Sequence, residues 1–78
     1  MSKIDDYLIL VEGGPPSNYG AWSPDVPGCV ALADTIDETV REMRAALVSH
    51  FELMREHGEV IPEATGPGVY LERTTAAA

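Results

Sequence analysis

The chain of 78 residues is poor in several things at once. It has a single cysteine, Cys29, so neither an internal disulfide nor a cysteine-based zinc site can be built, and a reducing compartment is the expectation. Five Lys and Arg stand against thirteen Asp and Glu, a formal charge of -8, and no basic run occurs anywhere. A phosphate backbone is bound by clustered cations, so direct nucleic-acid binding is not expected, whereas a basic protein partner suits the balance. No long apolar run is present, and Met1-Ser2-Lys3 is followed closely by Asp5 and Asp6, which argues against a signal peptide or membrane span and for a cytoplasmic protein. Aromatics are few, and the serines at 17, 23 and 49 sit in no nucleophile-elbow or triad pattern.

What the chain does have is one long amphipathic stretch from Ile36 to about His57. Ile36, Val40, Met43, Leu47, Phe51 and Met54 recur at steps of three and four, while Glu38, Arg41, Glu42, Arg44, Glu52 and Arg55 face mostly elsewhere. Thr35 with Glu38 three residues on forms a capping box, and Asp34, Asp37 and Glu38 place negative charge at the helix start. Gly58 is the expected C-cap. Such a helix is marginal alone and needs a sheet beneath its stripe.

Tyr7 to Glu12 reads as the first and central strand, apolar on both faces, one covered by the helix and the other at least partly by a partner subunit. Gly13 to Asn18 is a hairpin turn, Tyr19 to Ser23 a second strand, and Pro24-Asp25-Val26-Pro27-Gly28 a rigid, solvent-facing bend. Cys29 to Ala33 is a third strand leading into the helix cap. After the helix, Val60 and Ile61 can seal its end, Ala64 to Gly68 turns, and Val69 to Arg73 is a last strand. The expected fold class is α+β, in the order β-β-β-α-β with a right-handed crossover, giving sheet order 3-2-1-4 and one helix on one face. Residues 1–73 form a single domain and 74–78 a frayed tail. With room for only a modest core, burying about 60% of the extended chain's surface, self-association into a dimer is expected, through a free sheet edge or the second sheet face.

Few side chains point to chemistry. Glu12, Asp34, Asp37, Glu38 and Glu72 gather along one edge in this topology and would be the ligands of a magnesium-type nuclease site, but their strand-end and capping positions account for them equally well. His50 and His57 lack metal-ligand spacing, and Cys29 reads as a small buried hydrophobe. Tyr19 and Trp22 beside the proline bend are either core aromatics or an interface.

From Tyr19 to Asp34 the chain runs Y-G-A-W-S-P-D-V-P-G-C-V-A-L-A-D, followed by Thr35-x-x-Glu38 and the helix. This closely resembles the HicB-like antitoxin family, whose usual run is aromatic-small-A-x-x-P-D-L/V-P-G-C feeding a G/A-D-T-x-x-E-A helix. The similarity extends from Tyr7 to Pro62, and Gly58-Glu59-Val60-Ile61-Pro62 is similar to the family's ending of this domain. The resemblance implies a partial, non-catalytic ribonuclease H-like fold. It also implies a binding protein that neutralises a HicA-type toxin, a small basic endoribonuclease cutting messenger RNA, by blocking substrate access, with no catalysis and no cofactor of its own. The family signature falls on Tyr19, Trp22, Pro24, Asp25, Pro27, Gly28 and Cys29. The residues expected at a toxin or subunit interface are Tyr19, Trp22, Asp25, Asp37, Glu38 and Glu42. One departure stands out: sixteen residues follow Pro62, with Gly66-Pro67-Gly68 among them, too few for the helix-turn-helix or ribbon-helix-helix module that many relatives use on their operator. The alternative is a homo-oligomeric scaffold or ligand-binding domain without a toxin.

Overall fold

Short alternating apolar runs at the start of the chain become strands in a computed structural model that describes residues 3–71. A 3₁₀ turn at Ile4–Asp6 precedes β1 (Ile9–Gly13), β2 (Tyr19–Trp22), β3 (Val30–Ala33), the helix α1 (Ile36–Glu56) and β4 (Val69–Leu71). The sheet order is β3-β2-β1-β4, with β1–β2 and β2–β3 antiparallel and β1–β4 parallel. This is the α+β arrangement and the 3-2-1-4 order expected from a helical crossover between parallel strands. The ends read as Glu72, Arg73 and the tail 74–78 lie outside the described residues.

The strand boundaries differ from the apolar runs where a turn claims the backbone. Asp6 closes a local box, its carboxylate accepting from the Lys3 amide at 3.0 Å while its own amide donates to the Lys3 carbonyl at 2.9 Å. The Tyr7 amide then donates to Ile4, so β1 starts at Ile9, although the Tyr7 side chain keeps the inward phase of Ile9 and Val11 and is buried with them. Cys29 is likewise held in the preceding turn, its amide N–H donating to the Val26 carbonyl at 3.3 Å, and β3 begins one residue later.

Val11, Ala21 and Ala31 lie across from one another in register and form the row beneath the helix. Met43, Leu47 and Phe51 fill the space above, and the rings of Tyr7 and Phe51 meet at 5.0 Å between centroids. Of the six stripe residues only these three helical side chains are fully buried; Ile36, Val40 and Met54 are half-buried. Thr39 joins them, a polar residue that periodicity alone assigns to no core. Its hydroxyl donates to the Thr35 carbonyl at 2.6 Å, which satisfies the group and lets its methyl pack.

Thr35 caps the helix in an extended conformation, accepting from the Glu38 amide at 3.1 Å and donating its hydroxyl to the Glu38 carboxylate at 3.0 Å. At the other end Gly58 has φ +70, its amide donates to Arg55 and that of Glu59 to Met54, the bond pair of a Schellman stop. Ile61 seals the helix end as expected, whereas Val60 stays 88% exposed. The Tyr7 hydroxyl donates to the Pro62 carbonyl and so pins this returning segment to the start of the chain.

Candidate functional site

The strands give the sheet two faces of unlike character. One carries Ile9, Val11 and Ala21 under the helix; the other carries the cross-strand row Val30, Trp22, Leu10 and Tyr70, with Leu32 and Glu12 on either side of Gly20 in the next row. No element among the described residues covers this second face. Val30 and Leu32 are 66% and 70% exposed, Tyr70 57% and Trp22 36%. Gly20 leaves a shallow trough between them, since a Cβ there would come within 3.2 Å of the Leu32 side chain. Lone exposed apolar residues are ordinary, but a contiguous row of them marks a surface suited to association.

The six residues expected at an interface do not come together. Tyr19 and Trp22 lie on opposite faces of β2: Tyr19 is half-buried against the core, with its ring over the backbone of Gly14, while Trp22 belongs to the open face. Asp37, Glu38 and Glu42 are exposed on the other layer, in the first turns of α1, where Asp34 adds a fourth carboxylate. Glu38 is partly committed to the cap. The acidity is not a uniform helix face, because Arg41, Arg44 and Arg55 interrupt it, Arg44 lying 3.6 Å from Asp5.

Asp25 has an internal task. Its carboxylate accepts from the Thr65 amide at 3.2 Å and the Thr65 hydroxyl at 3.0 Å, forty positions away, and its own amide donates to Ser23 Oγ at 3.3 Å. The bend expected to face solvent is therefore a clasp: Val26 and Ser23 are buried within it while Pro24 and Pro27 face outward. Asp25→Ala removes the acceptor from two bonds to an exposed partner, and the expected cost in urea-measured stability is about 1–2 kcal/mol. Proteolytic nicking between Glu63 and Gly68 should rise with it.

Cys29 is buried, and desolvation pushes its thiol pKa up, away from a nucleophile's range. His50 is half-buried with its ring edge on Phe51 at 6.3 Å. Among the described residues no three His, Cys, Asp or Glu side chains are grouped to hold a metal ion, and no helix is long and apolar enough to cross a membrane. Glu72 lies outside the described residues.

A single helix laid on one face of a small mixed sheet, with an apolar face left open and carboxylates gathered at the helix start, defines a small α+β domain whose prominent features are interaction surfaces. The chain belongs to the HicB-like antitoxins of bacterial toxin–antitoxin systems, whose family model matches residues 7–75. A relative is a 14.9 kDa uncharacterized protein from the rep-hol intergenic region of Haemophilus phage HP1, 33% identical over 55 residues, which are 70% of this chain. The match spans 41% of that relative's length.

The open-face residues Val30, Leu32 and Tyr70 were not among the six expected. Their signal lies in the alternation of Val30-Ala31-Leu32-Ala33, where the large members share one face and the alanines the other, small enough to admit the helix.

Proposed function

We propose that this chain neutralises a small basic HicA-type endoribonuclease by docking on it and blocking RNA access. It contributes no catalytic group and no cofactor, and it acts in the cytoplasm, where the messenger RNA is. Residues 1–73 serve as one module, a partial ribonuclease H-like domain used as a binding platform. Membership in the antitoxin family carries this reading. The charge of -8 supports it, and so do the exposed carboxylates of Asp34, Asp37 and Glu42, because opposite charge speeds encounter with a cationic partner and disfavours polyanions.

The test is co-expression of the full chain with the short basic product of an adjacent reading frame, followed by pull-down and an RNA-cleavage assay. A complex that suppresses cleavage is expected. Asp37→Lys with Glu42→Lys should weaken it by about tenfold or more, with a shallower salt dependence. Failure of any such product to bind, or undiminished cleavage in the complex, would count against the proposal. The open apolar sheet face favours a second reading, a homo-oligomeric scaffold without a toxin; absence of a neighbouring basic reading frame would support that one instead.

A further inference from the structure

We propose that the outer edge of β3 is where a second copy of this chain adds its own β3, antiparallel across a two-fold axis centred on Ala31. Three observations converge on that edge.

First, β3 is one of the two terminal strands of the sheet, and its run Val30-Ala31-Leu32-Ala33 contains no charge and no proline. Natural edges are commonly blunted by lysine, proline or a bulge, and this one has none of those devices. Its outward backbone groups are positioned to pair with another strand.

Second, exposed apolar side chains flank that edge on both sides. On the open face Val30 and Leu32 are the most exposed large side chains of the sheet. On the opposite side α1 packs more extensively against β3 than against β1 or β2. A groove runs there between Cys29 and Val30 at the start of the strand and Ala46, His50 and Leu53 on the helix, with Leu53 52% exposed. An added strand continues the layer that the helix already covers.

Third, charge and register select a copy of the same strand. Two chains of charge -8 repel, and a contact surface without carboxylates adds least to that repulsion. The edge of β3 is such a surface, whereas a basic partner gains nothing from it. In an antiparallel pair, facing residues share a sheet face, so an identical strand can pair only about a residue's own position. Centring on Val30 brings Pro27, which has no N–H, opposite Ala33; centring on Leu32 sets Val30 against Asp34. Centring on Ala31 places Val30 against Leu32 of the other copy on the open face. Ala31 then meets Ala31 under the helices, where small side chains are required, and neither Pro27 nor Asp34 enters the pairing. The result is a continuous eight-stranded sheet with an isologous interface.

The chain alone tests this, without any toxin. Sedimentation of the full chain at micromolar concentration should give twice the 8.4 kDa chain mass. Leu32→Lys, at a side chain that contributes little to the core, should give the single-chain mass with an unchanged far-ultraviolet circular dichroism spectrum. Tyr70→Lys, on the same face at the far edge of the sheet, should stay dimeric. The register is read in a Cys29→Ala background. Val30→Cys chains mixed with Leu32→Cys chains should form a disulfide-linked dimer under a mild thiol oxidant, and each chain alone should not, because like positions then lie about 8 Å apart, beyond disulfide reach. A single-chain mass for the wild type, a dimer that survives Leu32→Lys, or one that Tyr70→Lys dissolves would overturn the assignment to this edge. Equal cross-linking of the single variants and the mixture would overturn the Ala31-centred register.

Discussion

Leu47→Ala is expected to lower the free energy of unfolding by about 2–5 kcal/mol, a large share of what a domain of this size commands. Leu47 is 0% exposed and lies mid-helix, between Met43 and Phe51, over the Val11, Ala21 and Ala31 row. Truncation removes its transfer free energy and leaves a void, and the surroundings have little room to close it. The side chains below are already small, two of them alanines, so they cannot swell into the gap. The helix is tied at both ends, by the Thr35 cap and by the Gly58 stop, which limits how far it can sink. A shift of the urea midpoint with an unchanged slope is the expected signature. A midpoint within experimental scatter of the wild type would show that the helix is not seated as described.

Gly13→Ala is the second large effect, expected at about 2–4 kcal/mol from two independent costs. Gly13 has φ +93, in the region that L side chains rarely adopt, and a Cβ there would come within 2.6 Å of the Asn18 carbonyl oxygen. That oxygen accepts from the Gly14 amide at 3.2 Å and closes the β1–β2 hairpin, so relieving the clash disturbs the turn bond. Gly28→Ala separates the two costs. Gly28 has φ +88, yet nothing lies within 4 Å of its would-be Cβ, so only the conformational cost of about 1–2 kcal/mol applies. Thermal or urea denaturation of the two variants side by side should rank Gly13→Ala well below Gly28→Ala. Equal losses would mean that the close approach to Asn18 carries no weight.

Much of the fold is legible because local rules decide it. The T-x-x-E start and Gly58 at the helix end are set by backbone hydrogen-bond satisfaction within one turn, and the step of three and four between them by the 3.6-residue helical repeat; all three hold. The strand order follows from short connections and the handedness of a crossover, which leave few alternatives for a chain this small. Thr39 escaped for the opposite reason. A threonine counts as polar in a periodic pattern, and only the Thr35 carbonyl four residues back makes it a core residue.

The interface residues were less legible, because side-chain role depends on partners distant in the chain. Asp25 sits in a proline bend that reads as an exposed recognition loop, yet Thr65 claims its carboxylate, and no local signal links positions forty residues apart. Tyr19 and Trp22, three apart in one short strand, look like neighbours in a line of text, but odd spacing in a pleated strand sends them to opposite faces.

By itself, then, the sequence determined the class of this protein: an acidic, single-cysteine α+β chain with a capped helix, a 3-2-1-4 sheet and the proline-bend signature of an antitoxin family. Those properties rest on composition and on interactions a few residues long. The tertiary structure alone decided which acids are free and which are occupied, and which apolar side chains are core and which are left on an open face. It also left β3 as a terminal strand without charge or proline. Those outcomes depend on how strands and helix are placed against one another, and contacts between segments far apart in the chain leave no periodicity to read.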